Sequence, residues 1–169
     1  MAKAEEILRV KLGNKANKVG KRIASEGVVM TIIDGDVGVI FEANCETDFV
    51  SKNPDFLGFT KQVAQLTLKE SPADIASLSG LQLGDNSVEK TRADLIGKIG
   101  ENMSLRRFKR LGGNGSKLAS YVHGGVGADR LIAGSIGVIV EYDGSADAAK
   151  DVAMHIACNK PLGLVNYHN

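Results

Sequence analysis

The sequence predicts an α+β domain, a mainly antiparallel sheet with helices packed on one side. Three observations carry that prediction. Apolar residues alternate over 28–33 and 37–43, on either side of Asp34-Gly35-Asp36, which is the pattern of a β-hairpin. Over 55–69, Phe56, Phe59, Val63, Leu66 and Thr67 recur at helical spacing and make a core-facing stripe. The strands come in groups, a pair and then a trio, with helices gathered between and after them. A doubly wound parallel sheet would alternate the two instead.

Taken in order, residues 2–25 read as a helix. Ile7, Leu8, Val10 and Leu12 form one apolar group, and Ala16, Val19, Ile23 and Ala24 continue it past Gly13. Gly13 and Gly20 weaken this helix. Lys3, Arg9, Lys11, Lys15, Lys18, Lys21 and Arg22 give it a basic outer face, read as solvated rather than as a phosphate contact. Gly27 punctuates, and the hairpin 28–43 follows with Gly35 free to take positive φ in its turn. Residues 55–69 are the amphipathic helix. Ser71-Pro72-Ala73-Asp74 reads as the start of a short helix to Leu78, with Pro in its first turn. Residues 79–86, with two glycines, read as a flexible loop.

Ser87 is the expected cap of a further helix whose buried side is Val88, Leu95, Ile96 and Ile99, and Gly100 is its expected stop. Residues 103–111 read as a strand with a basic, edge-protecting face. Gly112-Gly113-Asn114-Gly115-Ser116-Lys117 has a phosphate loop's glycines but not its order, since no Gly-Lys-Ser/Thr closes it and a strand follows. It reads as a hairpin connection. Residues 117–123 and 135–142 are the next strands, and 146–159 is the closing helix, with Val152, His155 and Ile156 on one side. Lys160-Pro161 stops it.

Composition narrows the function classes. A chain of 169 residues with 43% hydrophobic content forms a core of about one domain. A net charge of +1 gives no case for a nucleic-acid or membrane surface. Two cysteines far apart, Cys45 and Cys158, suggest no disulfide framework, and a reducing cytosol fits them best. No apolar run approaches a membrane span, and no signal-peptide pattern opens the sequence. His123 at a strand end has no Ser or Cys with an acidic partner to complete a triad. No nucleophile–base pair or metal cluster is visible in the sequence to carry an enzyme reading, and no cofactor is called for.

The densest polar cluster is Asn44-Cys45-Glu46-Thr47-Asp48-Phe49-Val50-Ser51-Lys52-Asn53, at a junction of strand and helix. Loops so placed are where a rigid scaffold displays function. The residues leave four readings open. Asn44, Thr47, Asp48 or Asn53 caps the next helix, with Phe49 tucked into the core. Cys45, Glu46 and Asp48 hold a metal, although the set mixes soft and hard ligands and has no His. Cys45 is a nucleophile, although it has no local positive partner. Or Phe49 beside an acidic residue is an exposed anchor for another protein.

The same stretch, Asn-Cys-Glu-Thr-Asp-Phe-Val-x-Lys-Asn at 44–53, resembles the signature of the translation elongation factor Ts family. Glu26-Gly27-Val28-Val29, Gly97-Lys98-Ile99-Gly100-Glu101-Asn102, Leu105-Arg106-Arg107-Phe108, Ala119-Ser120-Tyr121-Val122-His123-Gly124 and Met154-His155-Ile156-Ala157 resemble further family motifs in the family's order. Together they span most of 10–161.

The resemblance implies a guanine-nucleotide exchange factor for elongation factor Tu in the cytoplasm. It implies that Thr47, Asp48, Phe49 and Val50 promote GDP release by disturbing the partner's magnesium site, and that Ile99 and His123 are further partner contacts. No direct nucleic-acid or membrane contact is expected, and homo-oligomerisation is left open. The domain expectation is a basic helix or linker over 1–25, the family core over 26–161, and a divergent tail over 162–169. The family's usual N-terminal helical domain and C-terminal parts are expected to be missing, which makes a truncated module that binds elongation factor Tu with little exchange activity the alternative. Residues 125–135 are longer than the link expected between His-Gly and the last strand, and that length puts the position of His123 in question.

Overall fold

Nine strands and five helices are assigned among the described residues, and every strand pair is antiparallel. The computed structural model describes residues 6, 10–11, 18–128 and 131–160. Of the basic helix expected over 2–25, residues 6, 10, 11, 18 and 19 are helical, and a turn begins at Gly20. The remainder of that helix, and the tail 162–169, lie outside the described residues.

The first hairpin forms as expected, with β1 (Glu26–Asp34) and β2 (Val37–Cys45) joined by Gly35 at φ 61°. Its register sets two faces. Val28, Met30 and Ile32 of β1 lie opposite Ala43, Phe41 and Val39 of β2, and all six are buried on the face that receives the helices. A one-turn helix, α1 (Asp48–Ser51), follows the hairpin. Then comes α2 (Pro54–Glu70), which buries Phe56, Phe59, Thr60, Val63, Ala64 and Thr67. The hydroxyls of Thr60 and Thr67 donate to the carbonyls of Phe56 and Val63 at 2.9 and 2.8 Å, so no buried hydroxyl on this helix lacks an acceptor.

Three local expectations change here. Ser71 does not open a helix: it closes α2 in the left-handed conformation, φ 49°. Helix α3 (Ile75–Gly80) starts later, capped by Asp74, whose side chain accepts from Ser77 N at 2.7 Å, and Pro72 stays outside it. The expected loop 79–86 contains a small hairpin, β3 (Gln82–Leu83) and β4 (Asn86–Ser87), turned at Gly84. Two facing pairs convert the loop into an ordered connection. Helix α4 (Val88–Ile99) then begins at the expected Ser87 cap and stops at Gly100, φ 87°.

The larger corrections concern long-range pairing. Strand β5 (Met103–Gly112) pairs with β2, and a bulge opposite Glu42 and Ala43 accommodates Arg106. The glycine-rich segment after it is not a hairpin connection. It passes from one sheet to another, because β6 (Lys117–His123) pairs with β9 (Ile136–Tyr142) and not with β5. The long segment 125–135 contains two strands missed in the sequence, β7 (Val126–Ala128) and β8 (Leu131–Gly134). Strand β8 pairs with β1, so the larger sheet runs β5-β2-β1-β8-β7.

The β6–β9 pair packs on the face of β1–β2 opposite the helices. The two layers approach closely because glycine occupies the contact. A Cβ on Gly137 would stand 2.7 Å from Val29 and 3.3 Å from Ile40, and one on Gly38 would stand 3.1 Å from Leu118. Helix α5 (Ala146–Asn159) covers the outside of this pair. It turns inward the small stripe Ala149, Ala153 and Ala157, whereas Val152 and His155 are exposed and Ile156 is half-buried. The fully buried side of this helix is made of alanines rather than of its large apolar residues.

Candidate interaction site

The hairpin carries Cys45 to the end of the larger sheet, where it lies between Glu26 and Met103. Three side chains organise the chain as it leaves. The Cys45 thiol donates to the Thr47 carbonyl at 3.2 Å. The Thr47 hydroxyl accepts from Val50 N at 3.4 Å and so caps α1. Asn53 accepts from Asp55 N at 2.8 Å and Phe56 N at 3.4 Å and caps α2, with Pro54 in the first turn. Thr47 and Asn53 are thus the caps. Asn44 instead ties the two strands, donating to the Glu26 carbonyl at 3.2 Å, and Asp48 reaches Lys52 at 3.8 Å.

The tight turn of α1 divides its residues between core and solvent. Val50 points inward and is 7% exposed. Phe49 points outward and is 83% exposed, so the reading that tucked it into the core is overturned. A phenyl ring held in water on a capped helical turn has the disposition of an anchor for another surface.

The metal and nucleophile readings lose their geometry. Glu46 is turned away, accepting from Asn102 N at 2.7 Å and lying 3.7 Å from Arg22, while Asp48 faces Lys52. The three acidic or sulfur ligands of the metal reading therefore do not converge. Cys45 is fully buried, and burial, with Glu101 and Glu26 nearby, pushes its thiol up to about 11. A thiol held in its neutral form is a poor nucleophile.

The segment after α4 is bound to this loop across a long stretch of sequence. Glu101 accepts from Thr47 N at 3.0 Å and from the Thr47 hydroxyl at 2.7 Å. Asn102, 7% exposed, donates from its side chain to the Arg22 carbonyl at 2.6 Å. Ile99, half-buried, ends α4 two residues before Glu101. The structure therefore joins the Phe49 turn to the end of the Ile99 helix. Glu101 and Asn102 were not singled out in the sequence, where Glu46 was read only as a possible metal ligand and Arg22 only as part of a solvated basic face. The one available signal was that Glu101 and Asn102 lie in the same short motif as Ile99.

His123 sits exposed at the end of β6, its Nδ1 3.4 Å from the Tyr121 hydroxyl. Its carbonyl accepts from Ser135 N at 3.1 Å, and His123 pairs with Ile136. The β7–β8 excursion thus returns to His123's side before the last strand begins. Between that point and α1 runs a groove of about 890 Å³. Ser51, Lys52, Leu57 and Lys61 line one wall, Val28 and Met30 the floor, and Gly124, Leu131, Ala133 and Ser135 the other wall. Most of the surface lining this groove is apolar.

Comparison with known proteins bears directly on this surface. The family model described as Elongation factor TS matches residues 46–167, which takes in the Phe49 turn, the Glu101 segment and His123. The chain is 59% identical over 162 residues to elongation factor Ts of Cupriavidus pinatubonensis, covering 96% of this chain and 52% of the relative. It is 57% identical over 164 residues to that of Ralstonia nicotianae (97% and 52%) and 53% identical over 165 residues to that of Paraburkholderia phymatum (97% and 53%). The chain spans about half the length of the curated relatives it matches. With most of its length matched by the family model, and with the segments of the described surface inside that match, the chain belongs to the elongation factor Ts family.

Proposed function

We propose that this chain acts on elongation factor Tu as a guanine-nucleotide exchange factor in translation elongation, in the cytoplasm, and that the Phe49 turn performs the exchange. The single observation that carries the reading is that Phe49 is 83% exposed on a turn whose flanking residues, Thr47 and Val50, are fixed by hydrogen bonding and burial. The support from kinship is that the relatives bear the name elongation factor Ts.

Magnesium and nucleotide phosphates are held by a few oxygens and backbone donors in tight geometry. A phenyl ring entering the packing behind such a site displaces the ligands without touching the nucleotide. Asp48, at the start of the turn, holds the wedge in register, and Val50 supports it from below. Ile99 and His123 add further contacts. Linkage supplies the rest: a partner that prefers the ion-poor state weakens nucleotide binding by the factor by which nucleotide weakens the partner. The usual coupling is about 1–3 kcal/mol, so a large acceleration draws on several contacts together.

A second reading is a docking module that binds elongation factor Tu with little exchange activity. Parallel titrations separate the two. Binding to elongation factor Tu is measured by calorimetry and GDP release by fluorescence, on the same preparation. Binding with accelerated release supports exchange, binding alone supports docking, and no binding contradicts both.

A further inference from the structure

We propose that Glu101 is the positioning residue of the Phe49 contact, holding α1 in the pose that engages the partner; this rests on the exchange reading above. Beyond the last ladder pair, Cys45 with Met103, the two chain segments continue side by side, but their backbones no longer bond to each other. Carboxylates take over. Glu101 accepts the Thr47 amide at 3.0 Å, and Glu46 accepts the Asn102 amide at 2.7 Å, so each segment supplies the acceptor for the other's N–H.

The second Glu101 oxygen does more. It accepts the Thr47 hydroxyl proton at 2.7 Å, which leaves a hydroxyl lone pair for Val50 N at 3.4 Å. The orientation of the α1 cap is thereby set from another element. A helix of four residues does not hold itself together in water, because nucleation costs more than one turn of bonds returns. Charge-assisted hydrogen bonds to a carboxylate are among the stronger ones available. Glu101 thus orders a turn that would otherwise fray, and with it the direction of the Phe49 side chain.

The consequence differs from that of losing Phe49. Without the ring, the wedge is gone at any concentration. Without Glu101, the ring remains but the competent pose is populated only part of the time, and apparent affinity falls by that fraction. The test is GDP release from elongation factor Tu titrated with Glu101→Ala, together with amide hydrogen exchange of the free chain. Half-saturation rises about tenfold if the competent fraction drops to about a tenth, while the rate at saturation is retained. The Ser51 and Asn53 amides, which bond to Thr47 and Val50 carbonyls, exchange faster, and those of β1 and β2 do not.

Thr47→Ser, which keeps the hydroxyl that bonds Glu101, keeps the Ser51 and Asn53 amide exchange rates of the unsubstituted chain. Thr47→Val combined with Glu101→Ala costs less than the sum of the two alone, as expected for two residues that share one hydrogen bond. Should Glu101→Ala fail to fold, Glu101→Gln, which keeps one acceptor oxygen, decides by the same two readouts with an intermediate effect. Unchanged half-saturation with unchanged Ser51 and Asn53 exchange in a folded variant overturns the proposal. If the unsubstituted chain itself gives no acceleration, the exchange reading falls, and the hydrogen-exchange result alone decides the role of Glu101.

Discussion

Phe49 and Val50 are adjacent on one helical turn, yet Phe49 is 83% exposed and Val50 is 7% exposed. One residue faces solvent and the other is packed into the core cluster with Phe56 and Phe59. The Thr-Asp-Phe-Val segment therefore holds both a displayed side chain and the side chain that seats it.

Val50→Ala removes about two methylene equivalents from a packed site and costs about 2 kcal/mol of folding stability. Chemical denaturation with an unchanged m-value checks this. A loss below about 0.5 kcal/mol would place Val50 outside the core.

The two cysteines differ in the same legible way. Cys158 is exposed and Cys45 is buried. At pH 8 one thiol of the native chain reacts with a colorimetric thiol reagent, and two react after unfolding. The sign of the pH effect follows from the raised Cys45 thiol, which stays neutral in the fold. Its contribution to stability is present below its ordinary value of 9.0 and is lost as pH rises from there through about 11. Denaturation midpoints across that window for the chain and for Cys45→Ala, which lacks the titrating group, should converge in slope at neutral pH and diverge above pH 9. Rapid modification of both thiols in the native state would contradict the placement of Cys45.

Gly112 is where the chain leaves one sheet for the other, at φ 79° and with Asp36 O 1.9 Å from where a Cβ would be. Gly112→Ala costs about 1–2 kcal/mol from the left-handed backbone alone, and the contact with Asp36 adds to it. A variant as stable as the unsubstituted chain would mean that this crossing is wrongly drawn.

What was readable in the sequence was local. The first hairpin, the cap at Ser87, the Gly100 stop and the Phe56–Val63 stripe depend on residues a few positions apart, whereas Asn53 was one of four candidate caps. The motif at 44–53 likewise located the turn that displays Phe49. The pairing of β8 with β1 joins Ala133 to Met30, and the Glu101–Thr47 contact spans 54 positions. No periodicity encodes such distances. The glycine-rich run at 112–116 was ambiguous for a physical reason, since positive φ suits both a hairpin turn and a change of sheet. In α5 the rule that large apolar residues mark the buried side failed because the buried positions are alanines. Whether the charged residues near the turn acted as ligands or as clamps depended on which segment faced them, and that was set by the β2–β5 pairing.

The most direct test of the exchange reading is the release rate of fluorescent GDP from elongation factor Tu at fixed magnesium, with the chain and with Phe49→Ala. The exposed ring predicts that Phe49→Ala changes folding stability by no more than about 0.5 kcal/mol. The account predicts acceleration by the unsubstituted chain that is largely lost in the variant. Equal acceleration by both, or a variant that melts the domain, would contradict it.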